Sequence, residues 1–215
     1  MTNYTRAAKK AYDIIIKYGI CKSPVSPLPI LERMEDVITV SFEELGCISG
    51  LDCVELAPIF GKCSDAFTSI RIDNGIKTYV VAYNSLLPFN ILQRALAREM
   101  GHVVLGHTEI SSENEAEAQC FAQHLLCPRP LIHILQAISM RVTEDLFGNL
   151  TGAQNQFLVS MRRTPGVDVP AKINKFVGNM FLPFAVNFYE YYRDVKPYDG
   201  SALADFGTYM DNYAE

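Results

Sequence analysis

Residues 92–107 read LQRALAREMGHVVLGH, and this stretch decides the fold. Its apolar residues recur at three- and four-residue steps, the period of an amphipathic helix. Within it stands Arg98-Glu99-Met100-Gly101-His102. The metal-binding helix template H-E-x-x-H has this spacing, with a histidine where the chain has Arg98.

In the intact template two imidazoles four residues apart leave one face of the helix and hold a single Zn²⁺. The glutamate lies about 60° around the axis, near enough to take a proton from metal-bound water without being a ligand. A third protein ligand comes from another element, and water takes the fourth position. Glu99 and His102 are in place here. Arg98 cannot stand in as a ligand, because guanidinium offers no free lone pair and stays protonated in proteins. It also brings charge. Two like unit charges about 4 Å apart repel by about 4 kcal/mol at an effective dielectric of 20, and a divalent ion would feel roughly twice that.

Outward from this helix, Asp73-Asn74-Gly75 separates two β-rich arms, 66–72 and 76–83, which predicts a hairpin. The helix itself is expected to start near Pro88 to Asn90. After a polar connector from His107 to Ser112, a second helix is expected from about Glu113 to Leu126, ended by Cys127-Pro128-Arg129-Pro130. On the amino-terminal side, Tyr4 to Tyr18 reads as a helix with Ala8, Ala11, Tyr12, Ile15 and Ile16 as its stripe and Gly19 as its stop. The proline-rich segment 23–29 precedes a short helix expected from Pro29 to Met34. A strand is expected over Val37–Phe42, while 43–64 carries no clear pattern. Carboxy-terminal to the second helix, 131–138 reads as helical. Residues 142–147 and 151–163 read as a helix-turn-helix-like pair. Two further helices are expected over 171–181 and 184–193. The division expected is 1–137, a helical region 138–195, and an acidic, loosely held tail 196–215.

A content of 49% hydrophobic and 20% charged residues is that of an ordinary globule with a core of its own. A formal charge of −5 disfavours a broad nucleic-acid or acidic-membrane surface. No apolar run approaches a membrane span, and the first residues lack a signal-peptide core, so the expected location is the cytoplasm. The six cysteines, Cys21, Cys47, Cys53, Cys63, Cys120 and Cys127, include no C-x-x-C pair and read as reduced thiols rather than a second metal site.

A site built on Glu99 and His102 needs an acidic or imidazole partner on a second element. Glu115 opens the next helix and is the first candidate. Ser112-Glu113-Asn114-Glu115 is also a capping-box spacing, in which Glu115 would only satisfy the helix terminus, and spacing alone leaves the two roles even. Gln119 can share the face of Glu115, while Glu117 falls on another face and is expected in solvent. As substitute ligands, His107 sits five residues past His102 and reads as a surface or packing residue. His124 lies roughly 13 Å along the helix from Glu115. His133 has no spacing argument, and Cys120 reads as core.

The pair ALAREMGHVVLGH and SSENEAEAQCFAQHLLCP resembles the ImmA/IrrE metallopeptidase family, whose pattern reads roughly A-H-E-x-G-H, a trailing L-x-H, then E-x-E-A-x-x-F-A-x-x-L-L-x-P. The likeness covers roughly residues 60–130, back through Val80-Val81-Ala82-Tyr83-Asn84. It implies an α+β fold, a minimal zincin-like domain in which a small twisted sheet is backed by the site helices, followed by the helical region. It implies zinc at the positions of Arg98, His102 and Glu115, with Glu99 as general base. It also implies a repressor-type protein as the partner, because intact members induce genes by cleaving repressors. The departure at Arg98 removes one ligand.

The expectation is therefore a regulatory protein with a degenerate, metal-free site, in which Arg98 lies as an ion-paired plug between Glu99 and Glu115. The alternative is an active zinc endopeptidase that cleaves a repressor, with zinc as cofactor. A third reading is a DNA- or protein-binding module through 142–163, where Gln154, Asn155 and Gln156 would read bases and Arg162 and Arg163 would touch phosphate. The net charge disfavours the DNA version.

Overall fold

A computed structural model describes residues 2–50, 65–109, 111–138 and 167–195, with backbone alone at 49 and 191–195. The expected helix pair at 142–163 and the acidic tail at 196–215 lie outside the described residues. Within them the fold is α+β, with seven helices and a three-stranded mixed sheet. The order is α1 (Tyr4–Tyr18), α2 (Leu28–Leu31), β1 (Val37–Ser41), α3 (Phe42–Ser49), β2 (Ala66–Asp73), β3 (Ile76–Tyr83), α4 (Phe89–Leu105), α5 (Ser112–Leu126), α6 (Arg129–Ile138) and α7 (Ala171–Val195).

The sheet runs β1-β3-β2. β3 pairs parallel with β1 and antiparallel with β2, whose Ala66 sits opposite Tyr83 and Asp73 opposite Ile76. The hairpin turns at Asn74, φ 50°, and Gly75, φ 80°, the left-handed conformations that an Asn-Gly turn requires. Alternation sends Ala66, Thr68 and Ile70 to one face of the sheet. That face also carries the buried Tyr79 and Val81, and it packs on α4.

Helices α1, α4, α5, α6 and α7 share one buried cluster with this face of the sheet. A smaller cluster of Val40, Phe42 and Ala82 lies on the other face, under Leu45 of α3. α4 and α5 pack closely at Gly101. A Cβ added at Gly101 would lie 2.9 Å from the Ala118 carbonyl oxygen and 3.0 Å from its Cα, so only glycine lets the two site helices approach this closely.

Three sequence-based boundaries and one buried stripe need correction. Phe42 does not extend the strand. Ser41 accepts the Glu44 N–H while the Glu44 carboxylate accepts the Ser41 N–H, and this capping box starts a helix at once. The short helix covers Leu28–Leu31 rather than Pro29 to Met34. In α1 the buried set is Ala7, Ala8, Ala11, Tyr12, Ile14 and Ile15, and Ile16 is exposed, because the stripe is centred one residue earlier than expected. The two helices expected at 171–181 and 184–193 are one, with Pro183 inside it. Val177, Phe181, Ala185 and Tyr189, each four apart, carry a single buried stripe past that proline, and packing outweighs the lost hydrogen bond.

Candidate functional site

Two helix ends and one strand build the site. α4 presents Arg98, Glu99 and His102. It terminates at Gly106, φ 71°, whose N–H bonds to the Val103 carbonyl while the His107 N–H bonds to that of His102. This is a Schellman closure, and it folds the residue after the glycine back against the residue five earlier. His107 is thereby laid on His102, with ring centroids 5.1 Å apart in an edge-on arrangement.

α5 begins with Ser111 as its N-cap, the Ser111 hydroxyl accepting the Asn114 N–H at 3.1 Å. The capping box that the Ser112-Glu113-Asn114-Glu115 spacing left open as the alternative role of Glu115 does not form. The cap sits one residue earlier, and the Glu115 side chain is left for the site.

At the centre is Arg98. Nη2 donates to Glu99 Oε1 at 2.6 Å and to the Ala66 carbonyl at 3.1 Å, and Nη1 donates to Glu115 Oε1 at 3.2 Å. Burial alone would lower its pKa, but the charges of Glu99 and Glu115 outweigh that and hold it above the ordinary guanidinium value. Glu99 is 3% exposed, and its second oxygen accepts the Thr68 hydroxyl at 2.7 Å. Both Glu99 oxygens therefore have donors.

Glu115 is the most exposed of the group. Gln119 Nε2 donates to its Oε1 at 3.0 Å, and His102 Nε2 lies 3.3 Å from its Oε2. The His102 contact lowers its pKa most. With Gln119 and the Arg98 charge it outweighs burial and brings the carboxyl to about 2.

Behind His102 lies a second set that the sequence did not single out as a group. His107 Nδ1 is 3.0 Å from His102 Nδ1, and His107 Nε2 is 3.5 Å from Glu117 Oε2. The latter is an electrostatic contact longer than a hydrogen bond. Burial, then the neighbouring His102, hold the His107 pKa below its ordinary value. Glu117, expected in solvent, is 7% exposed. The reason lies in the amino-terminal segment, where the Asn3 N–H donates to Glu117 Oε1 at 2.6 Å and Arg6 Nη1 stands 3.7 Å from Oε2. Arg6 Nη2 also donates to the Leu105 carbonyl at 2.7 Å, at the end of α4.

The remaining candidates lie elsewhere. His124 is buried, 3.2 Å from the Tyr12 hydroxyl, and burial brings its pKa to about 3. His133 is exposed on α6. Cys120 and Cys127 are buried free thiols, and Cys21 and Cys47 are exposed free thiols.

The donor set does not fit a zinc ion. His102 and Glu115 offer two donors, and the third corner is a guanidinium. His107 cannot supply the missing one, because it faces Nδ1 of His102 while Glu115 faces Nε2 on the other side of the ring. Among the described residues no three His, Cys, Asp or Glu side chains are grouped to hold a metal ion. Nor is any described helix long and apolar enough to cross a membrane.

Thr68 and the Ala66 carbonyl escaped the sequence reading, since nothing local marks them. Strand alternation and register bring them under α4. Comparisons with protein-family models, with curated proteins and with solved structures give no match to this chain.

Proposed function

We propose that this chain is a regulatory protein of ImmA/IrrE-like, minimal zincin-like build, and that it recognises a repressor-type protein partner without cutting it. One observation carries the reading: the Arg98 guanidinium lies between the Glu99 and Glu115 carboxylates. A permanent cation occupies the corner where the template needs an imidazole. It holds the two acids together, as a metal's charge would, through charge-assisted hydrogen bonds. It supplies no Lewis acidity and generates no nucleophile. Glu99 is also poorly placed as a general base, because one oxygen is bonded to Arg98 and the other to Thr68.

Recognition by an extended segment has a place to occur. Among the described residues β2 pairs on one side only, with β3, and it borders the site through Ala66 and Thr68. An extended segment of the partner adds along this edge through backbone hydrogen bonds. The competing reading, an active zinc endopeptidase, is favoured by the closeness of His102 and Glu115 and by the retained Glu99.

Mixing the purified chain with the repressor encoded nearest its gene separates the two. The expected result is a complex containing intact repressor, unaffected by chelator and by Glu99→Gln. Cleavage that requires a metal ion and is abolished by Glu99→Gln contradicts the proposal.

A further inference from the structure

The pairing of β2 with β3 fixes which backbone groups of β2 face outward. The Asn84 N–H bonds to the Asp65 carbonyl at 2.9 Å, so Asp65 and, by alternation, every second residue as far as Asp73 turn their backbone groups toward β3. Ala66, Thr68, Ile70 and Ile72 turn theirs to the other side, where among the described residues no strand pairs. The Ala66 carbonyl is already taken there by Arg98 Nη2 at 3.1 Å. Three rungs are left for an added strand, at Thr68, Ile70 and Ile72. Resting on the edge addition proposed above, we infer that the partner segment pairs antiparallel with these three residues alone, stops at Arg98, and reads apolar-x-apolar-x-basic from its amino to its carboxy end.

Both the N–H and the C=O of each of these residues point outward. An antiparallel segment exchanges two perpendicular bonds with every such residue, and this is the more stable of the two ladders. It then runs from Ile72 toward Thr68. Residues directly opposite one another share a face of the sheet, so every second side chain of the segment lies beside Ile72, Ile70 and Thr68 in turn. Ile72 is 69% exposed, and Ile70 packs at the margin of the core. Both are stabilised by meeting apolar side chains.

The third position differs. Thr68 donates to Glu99, and Arg98 links Glu99 to Glu115 at the Ala66 end of the edge. Two carboxylates stand against one permanent cation, and the more open acid is Glu115, 37% exposed. A lysine or arginine arriving there meets excess negative charge, whereas a glutamate is repelled. The side chains in between lie on the opposite face with Ser69 and Arg71, both exposed. Arg71 is already paired with Asp73, so no charge is demanded of them. Arg98 is thus the register stop. It closes the Ala66 rung and holds Glu115 where the basic residue arrives.

Three end-blocked peptides serve as probes of the full chain: Ser-Val-Thr-Val-Thr-Lys-Ser, the same with glutamate for lysine, and the reversed order Ser-Lys-Thr-Val-Thr-Val-Ser. Fluorescence anisotropy is expected to show the lysine peptide binding about tenfold more tightly than either of the others. Glu115→Gln is expected to bring the lysine and glutamate peptides close together in affinity. On the wild-type chain the lysine peptide is expected to slow amide exchange, read by NMR, at Thr68, Ile70 and Ile72 and to leave Ala66 unchanged. Equal affinity of the lysine and glutamate peptides overturns the inference, as does a reversed peptide that binds as well as the first. No binding at millimolar peptide, or protection confined to other amides, does the same. If Glu115→Gln fails to fold, the wild-type affinities and exchange pattern decide. A complex with intact repressor that leaves these three amides unprotected overturns this inference and not the proposed function. The expected peptide preference together with a cleaved repressor overturns the proposed function and not this inference.

Discussion

Arg98 and Glu99 are consecutive residues on a helix, yet Arg98 Nη2 donates to Glu99 Oε1 at 2.6 Å. Neighbours one apart point about 100° away from each other on a helix and do not ordinarily meet. They meet here because the arginine stem curls into the space between α4 and the start of β2, where the Ala66 carbonyl and Glu115 take its other donors. A histidine at 98 could not reach both acids in this way. The contact identifies the guanidinium as the organising cation of the site rather than an exposed bystander.

Removing that cation should be costly. Arg98→Met leaves Glu99 buried with only the Thr68 hydroxyl as donor, and we expect a loss of about 2–3 kcal/mol by urea unfolding at pH 7, as for breaking a partly buried ion pair. The double change Arg98→Met/Glu99→Gln should recover part of it, since the stranded charge is then gone. Equal stability of Arg98→Met and wild type would mean the contact contributes nothing.

Gly101 tests the helix joint. Alanine favours helix over glycine by about 1 kcal/mol, so local propensity alone predicts a more stable Gly101→Ala. Its methyl would meet the Ala118 backbone at 2.9 Å, and overpacking against backbone costs about 1–3 kcal/mol. We expect net destabilisation by denaturant melts, together with altered Arg98–Glu115 geometry, because the two helices must separate. A stabilised variant would show that α4 and α5 can part freely.

Stability should also fall with acid through His124. Burial, and then the Arg129 charge, take its pKa from 6.5 to about 3. The unfolded chain therefore binds this proton first. The contribution is fully present above pH 6.5 and declines as pH falls toward about 3, by at most about 1.4 kcal/mol per pH unit. His107 and His133 shift in the same direction, so the comparison is with His124→Gln. That variant should show a shallower loss between pH 6.5 and 4.5 in a urea series. Parallel curves would place His124 in a more solvated setting than its contacts indicate.

The elements that announced themselves in the sequence are those with strong periods or fixed turn chemistry. The Asn-Gly hairpin, α4 and α5 formed where expected, and they bring Arg98, Glu99, His102 and Glu115 to one place. Phe42 misled because β-rich residues run directly into a capping box, and a helix start overrode the strand pattern. Pro183 misled because a breaker inside a four-residue stripe is tolerated when the stripe is buried. Glu117 could not be read locally, since its partners, the Asn3 N–H and the Arg6 charge, lie more than a hundred residues away in the chain. His107 carries a local signal in the Gly106-His107 helix stop, whose backbone closure brings that ring onto His102.

The metal content of the chain purified without chelator tests the central claim most directly, with Arg98→His prepared in parallel. Plasma mass spectrometry should find far less than one zinc per wild-type chain and should approach one per chain in Arg98→His, where the third donor is restored. One zinc per wild-type chain, lost on Glu115→Ala, would contradict the account, because the guanidinium and the ion cannot share the corner between Glu99 and Glu115.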